Sequence, residues 1–157
     1  MHMPLVPIIL ISPLLLAVGY YDLRFMRIPN PLTLIAIGMF VVLALIAPPD
    51  DLFFRVVAAL TVLVLGVIGF AFGLIGGGDV KFLSTLVLFV PVHRLGIFAN
   101  VFSVSLLIGI ALILGLRRIP ATADWGWKSF SGSTKFPMGI SIALAGLAFP
   151  WVEMALG

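Results

Sequence analysis

"LIGGGDVKFL", residues 74–83, sets three consecutive glycines and an aspartate in a chain that is otherwise almost uniformly apolar. Where Asp79 lies, in lipid, at a membrane edge or in a soluble core, decides what the remaining residues can build. Of 157 residues, 62% are hydrophobic, nine are basic and six acidic, and the mean hydropathy is +1.30. Soluble domains carry about 45–50% apolar and about 25% charged residues, so this is an integral membrane protein. An aspartate at mid-bilayer depth costs roughly 2.5–3.5 kcal/mol on insertion scales and much less at the interface, so Asp79 is a functional candidate. An aspartate after glycines is also an ordinary helix cap.

Outward from this stretch, apolar runs measured against the ~20 residues that cross a bilayer give spans at 3–21, 30–48, 55–76, 79–93, 95–116 and 136–154. The fourth is short, uncharged only over 82–92, with Asp79 and Lys81 at one interface and His93 and Arg94 reaching toward the other. The expected fold is therefore all-α, one transmembrane domain over 1–157, a polytopic bundle of six transmembrane helices with both termini outside. Basic residues support that sidedness. Arg24, Arg27, Lys81, Arg117, Arg118, Lys128 and Lys135 fall inside, and only Arg55 and Arg94 outside. If 82–92 were re-entrant, the bias would collapse. Asp22 and Asp79 then share the inner face.

Several classes drop out. There is no cysteine, hence no disulfide, thiolate metal site or cysteine nucleophile. His2 and His93 are too far apart to suggest a metal site, and no cofactor is expected. The basic residues form no run, so the net charge of +3 reports topology, not nucleic acid. The first span lacks a basic region before it and is expected to be retained. "APPDD", 47–51, is an outside turn, and the tryptophans of "RRIPATADWGWKSFSGSTK", 117–135, are expected at headgroup level. Gly66, Gly69 and Gly73 are spaced for close helix contact, and Asp124 reads as solvated.

A second polar island, "YDLRFMRIPNPLTL", 21–34, contains Pro29 and Pro31, which disfavour a continuous helix. Taken alone, this stretch is better read as a plain cytoplasmic hairpin with two topology-setting arginines. Non-helical backbone at this depth is otherwise tolerated where it is buried in protein or lines a wet cavity, and Asn30 could bridge exposed backbone groups there. The glycines at 76–78 let backbone approach closely beside Asp79. Two carboxylates in one partly dry cleft cannot both ionise comfortably, so one keeps a proton while the other can act as base. That is the requirement of metal-free aspartic hydrolysis.

Asp22 followed by Pro29-Asn30, then "GGGDVK", then "FPMGISIALAG" at 136–146, in order along nearly the whole chain, resembles the type IV prepilin peptidases, membrane aspartic proteases of the GxGD class. The resemblance implies Asp22 and Asp79 as catalytic residues, with Pro29, Asn30, Gly76 and Gly78 shaping the site and Pro137 and Gly139 in the last-helix motif. It implies a pilin-like precursor as protein partner, cleaved at the cytoplasmic edge of a bacterial inner membrane. The absence of a long loop with paired Cys-x-x-Cys motifs removes the expectation of N-methylation and its zinc, and points to the compact Flp or Tad form, with an archaeal preflagellin peptidase as the other short type. Arg24 and Lys81, each two residues from an aspartate, are candidates for tuning the pair or meeting an acidic substrate group, with topology signalling of equal weight. A small ion or proton-coupled transporter and a non-catalytic assembly subunit are the competing readings. The few polar residues within the spans argue against the first, and retention of both aspartates against the second.

Overall fold

The computed structural model of the chain describes residues 6–119, 126–130 and 136–156. His2, Asp124, Trp125 and Lys135 lie outside them. Among the described residues all regular structure is helical: α1 Val6–Leu10, α2 Ser12–Phe25, α3 Asn30–Ile46, α4 Leu52–Ala71, α5 Gly77–Val87, α6 Leu95–Arg117 and α7 Met138–Leu156. A 3-10 turn, Val92–Arg94, leads into α6. Three helical stretches, Leu52–Ala71, Val92–Arg117 and Met138–Leu156, are long and apolar enough to cross a membrane, and α3 is a shorter apolar helix.

Local chemistry sets the breaks. Within the span expected at 3–21 the helix interrupts at Ile11, because Pro13 occupies the first turn of α2, where its missing N–H leaves no bond unmade. At the other end α2 runs past Asp22 to Phe25, and Met26 closes it in the left-handed region (φ 52°), its N–H donating to the Asp22 carbonyl at 2.8 Å. Met26 has a side chain that this conformation disfavours, so the turn is held by its surroundings. Pro29 is extended, and Pro31 sits in the first turn of α3. The proline-driven break expected over 21–34 is thus confined to the link 26–29.

Gly73 ends α4 with φ +72°. It makes no close helix contact, unlike Gly66, where a Cβ would lie 2.5 Å from Val80 Cγ1 and which lets α4 lie directly on α5. α5 has 11 residues and rises about 16 Å, roughly half of a ~30 Å hydrocarbon layer. It is the centre of the bundle, packed between α4, α3 and α7, with Phe82 and Leu86 of the helix and Phe89 and Val90 just after it fully buried. α7 is the other inner element. Ala143, Ala145 and Gly146 are small enough for α2 and α5 to close on it, and a Cβ at Gly19 of α2 would meet that of Ala143 at 3.3 Å. By contrast α4 turns Phe53, Phe54, Leu60, Val64 and Leu65 outward, a face fitted to lipid.

Polar groups collect at the two ends. At one, Asp51 binds Arg55 Nε at 2.6 Å and accepts the Val92 N–H at 2.8 Å, while Arg55 Nη1 reaches the Leu88 carbonyl at 3.3 Å. This network ties the 47–51 turn to the segment after α5. Partial burial pushes the Asp51 carboxyl up, but the bonds from Val92 and Arg55 outweigh it and hold the group below the ordinary carboxylate range. Arg94 pairs with the buried Glu153 of α7 at 3.2 Å at the same end. The opposite end carries Asp22, Asp79 and the start of α7. Trp127, expected at headgroup level, packs edge-on to Tyr20 and stacks on Phe130, and the Lys128 N–H donates to the Arg24 carbonyl at 3.1 Å, so segment 126–130 is docked on the end of α2.

Candidate active site

Asp79 is the third residue of α5, behind Gly76, which precedes the helix in extended conformation. Its carboxylate takes a backbone hydrogen bond from Gly76, the reach-back of a capping box. The capping role that sequence allows is therefore real, but it satisfies only part of the group. Oδ1 of Asp79 is buried and, among the described residues, has no hydrogen-bond partner. A cap alone would not leave a carboxylate oxygen dry and unbonded, since such burial costs about 1–3 kcal/mol or more.

Asp22 occupies the last turn of α2 and is 3% exposed. Its Oδ2 accepts the Gly139 N–H at 2.5 Å, and the Ile140 amide bonds to the same carboxylate. These are unpaired amides of the first turn of α7, where the helix dipole also favours negative charge. Gly139 is required by contact: a Cβ there would stand 2.8 Å from Cβ, Cγ and Oδ2 of Asp22. Pro137 is buried immediately before α7 begins.

The two islands meet through backbone. A Cβ on Gly78 would touch the Cβ, O and N of Ile28 at 3.3–3.4 Å, so the glycine run lies flat against the link that follows α2. A Cβ on Gly76 would collide with Oδ2 of Asp79. Gly139 leaves room for the carboxyl group of Asp22 and Gly76 for that of Asp79, and the charge of Asp22 is felt at Asp79. Lys81 Nζ reaches Asn30 Oδ1 at 3.5 Å, a long contact that links α5 to the start of α3. Arg24 instead bonds Tyr20 through its hydroxyl and lies over the Phe25 ring at 5.3 Å, so among the described residues it is directed at aromatic surface.

Two cavities flank this arrangement and share Asn30. One of about 370 Å³ lies between α3, α4 and α5 and includes Thr33, Lys81, Ser84 and Thr85. The other, about 570 Å³, lies at the 26–29 link. Neither is lined by the aspartates, so neither is taken as the place of chemistry. Several hydroxyls within the helices are spent locally: Thr61 donates to Val57, Ser84 and Thr85 both to Lys81, and Ser103 to Ala99, whereas Ser141 Oγ of α7 is buried and, among the described residues, unbonded. They form no relay through the bundle. Among the described residues no three of His, Asp or Glu gather as a metal site.

Sequence reasoning named both aspartates and the glycines around them but missed Ile28 and Ile140. Ile28 carries no signal beyond its place before Pro29, and the Ile140 contribution is a backbone amide that any residue supplies. No curated protein and no solved structure matches the chain. Its residues 9–116 match the model of the type IV leader peptidase family, a stretch that contains both aspartates and the glycine run but not α7. With more than half its length matched, the chain belongs to the type IV leader peptidase family.

Proposed function

We propose that this protein is an aspartic endopeptidase that removes the leader from a type IV pilin-like precursor, of the Flp or Tad kind, with Asp22 and Asp79 as its catalytic pair. Membership of a leader peptidase family supplies the peptidase class and the precursor substrate. The observation that carries the two-aspartate mechanism is the unequal bonding of two juxtaposed carboxyl groups, one held by α7 amides and the other with a dry, unbonded oxygen.

The bonding divides the labour. Two backbone N–H groups stabilise Asp22 as a carboxylate, so Asp22 takes the proton from water. Asp79, with Oδ1 unengaged, is the carboxylic acid that donates to the scissile carbonyl oxygen. Water oxygen bonds to the carbonyl carbon, giving a neutral tetrahedral diol. Collapse breaks the C–N bond while the proton on Asp22 passes to the leaving amine and a hydroxyl proton returns to Asp79. The pair ends as it began.

Sidedness follows the same reading. Six spans with outside termini put the aspartates, Arg24, Arg27, Lys81, Arg117 and Lys128 at the cytoplasmic face of the inner membrane. Asp51, Arg55, Arg94 and Glu153 lie at the other. Co-expression with a pilin-like precursor tests the function. Cleavage by the wild type and its loss in both Asp22→Asn and Asp79→Asn is expected, since each proton transfer contributes about 10²–10⁴-fold. Processing that survives either change rejects the pair, and proton flux without processing favours a transporter.

A further inference from the structure

α3 and α4 both pack on α5 but have little contact with each other, so the short α5 is the floor of a groove walled by two apolar helices. The smaller cavity, about 370 Å³, lies in this groove. On α3, Leu34 and Ile37 line the cavity, and Val41 continues the same helix face. On α4, Leu63 lines it, and Leu60 and Val67 share its face. Leu34, Ile37, Val41, Leu60 and Val67 are all exposed, so both stripes are open to lipid. From Leu34 to Val41 the wall rises about 10 Å, leading from the end that carries the aspartates into the bilayer.

The aspartate end of the groove is polar. Lys81, two residues beyond Asp79 in α5, is the charged member of the cavity lining. Among the described residues its side chain makes one long contact, to Asn30 Oδ1 at 3.5 Å, although an ammonium carries three donors. The Ser84 and Thr85 hydroxyls beside it already donate to the Lys81 carbonyl. An apolar chain laid along the groove strips water from Lys81, and a cation covered in this way needs a carboxylate partner. A lipid tail fits the walls and leaves the ammonium uncompensated. A peptide helix with an acidic side chain near its wet end meets both conditions.

We propose that the groove between α3 and α4 holds the apolar helical segment of the precursor, entering sideways from lipid, with a substrate carboxylate on Lys81. That pair fixes the depth of the segment, so that the scissile bond arrives at Asp22 and Asp79. The inference rests on the peptidase reading and gives Lys81 a part in specificity, with no proton transfer of its own.

Three synthetic precursors test it, each a polar leader followed by ~20 apolar residues whose first turn carries glutamate, glutamine or lysine. With the full chain in lipid vesicles, the glutamate form should be cleaved with kcat/KM about tenfold above the glutamine form, mainly through KM. Lys81→Gln should abolish this preference, and Lys81→Glu should turn it toward the lysine form. A Lys81 that only ties α5 to Asn30 predicts an equal loss on all three substrates. That result, a wild type that cleaves all three alike, or a preference that survives Lys81→Gln would overturn the proposal. Docking is read apart from cleavage by a benzophenone crosslinker placed at Ile37 or Leu63, which should capture the glutamate precursor, whereas one at Leu107, on the exposed face of α6, should not. Capture in the groove without cleavage supports the docking and counts against the aspartate pair instead. Capture from Leu107 as efficient as from the groove, or none from Ile37 and Leu63, would overturn the proposal.

Discussion

Gly139→Ala adds one methyl group at the point where α7 meets Asp22. The new Cβ would stand 2.8 Å from three atoms of Asp22, two of them carbon, whereas carbon atoms rest about 3.5–4.0 Å apart. Helix and carboxylate must therefore separate by roughly 0.7 Å or more. The Gly139 N–H to Oδ2 bond, now 2.5 Å, then stretches past the usual range of a charge-assisted hydrogen bond, whose loss costs about 1.5–3 kcal/mol. A displacement near 1 Å at a catalytic group lowers rate by about 10²-fold. The expected result is a fall in kcat of about that size with KM little changed, because the substrate's binding surface is not the part that moves. Purified enzyme reconstituted in lipid, assayed by gel shift of a precursor over a range of concentrations, separates the two constants. Gly146→Ala is the matched control. Its Cβ would lie 2.7 Å from Leu15 Cδ1, far from either aspartate and against the end of a flexible side chain. It should lower thermal stability by overpacking, about 1–3 kcal/mol, and spare kcat. Equal activity in Gly139→Ala and wild type, or equal loss in both alanine variants, would refute the contact argument.

Three further outcomes are expected. Removing Arg94 should destabilise more than removing Glu153: Arg94→Leu strands a glutamate whose side chain is 9% exposed, whereas Glu153→Leu frees an arginine that is 32% exposed and can reach water, and the order of melting temperatures measures it. The Asp51 carboxyl is held below its unfolded value, so its bonds to Val92 and Arg55 stabilise the fold fully above the unfolded pKa of about 3.9 and lose that effect as pH falls through the lower folded value; melting temperatures of wild type should fall over that acid window more than those of Asp51→Asn. Met26→Gly relieves the left-handed turn (φ 52°) and should raise stability by up to about 1 kcal/mol, less whatever glycine's extra unfolded-state freedom removes, with denaturant midpoints as the measure.

How much of this was legible in sequence depended on whether the cause was local. The apolar excess declares the membrane, Pro29 and Pro31 declare the break after α2, and the glycines before Asp79 declare close backbone approach. Those effects act within a few residues. Hydropathy alone ends the first span at 21 because Asp22 and Arg24 are charged, yet helical hydrogen bonding ignores side-chain charge and carries α2 through Asp22 to Phe25. The break at Ile11 was hidden for a related reason: Pro13 in a first helical turn is compatible with a helix start, and apolar periodicity does not register it. α5 reads as a weak span because it is short, but its central burial is a property of its neighbours. Asp51 illustrates the same limit, since its Val92 partner lies 41 positions away. Likewise nothing near Asp22 announces that its bonds come from amides 117 and more positions along.

The central claim is that Asp22 and Asp79 face one another across a single cleft at one end of the bundle. Because the chain contains no cysteine, an Asp22→Cys/Asp79→Cys double variant reports on that geometry without background. Mild oxidation in native membranes should join the two thiols within one chain, giving a faster-migrating band that reductant reverses, while neither single variant shifts. If each thiol reacts singly with maleimide but the double variant never closes, the two side chains do not meet and the account fails.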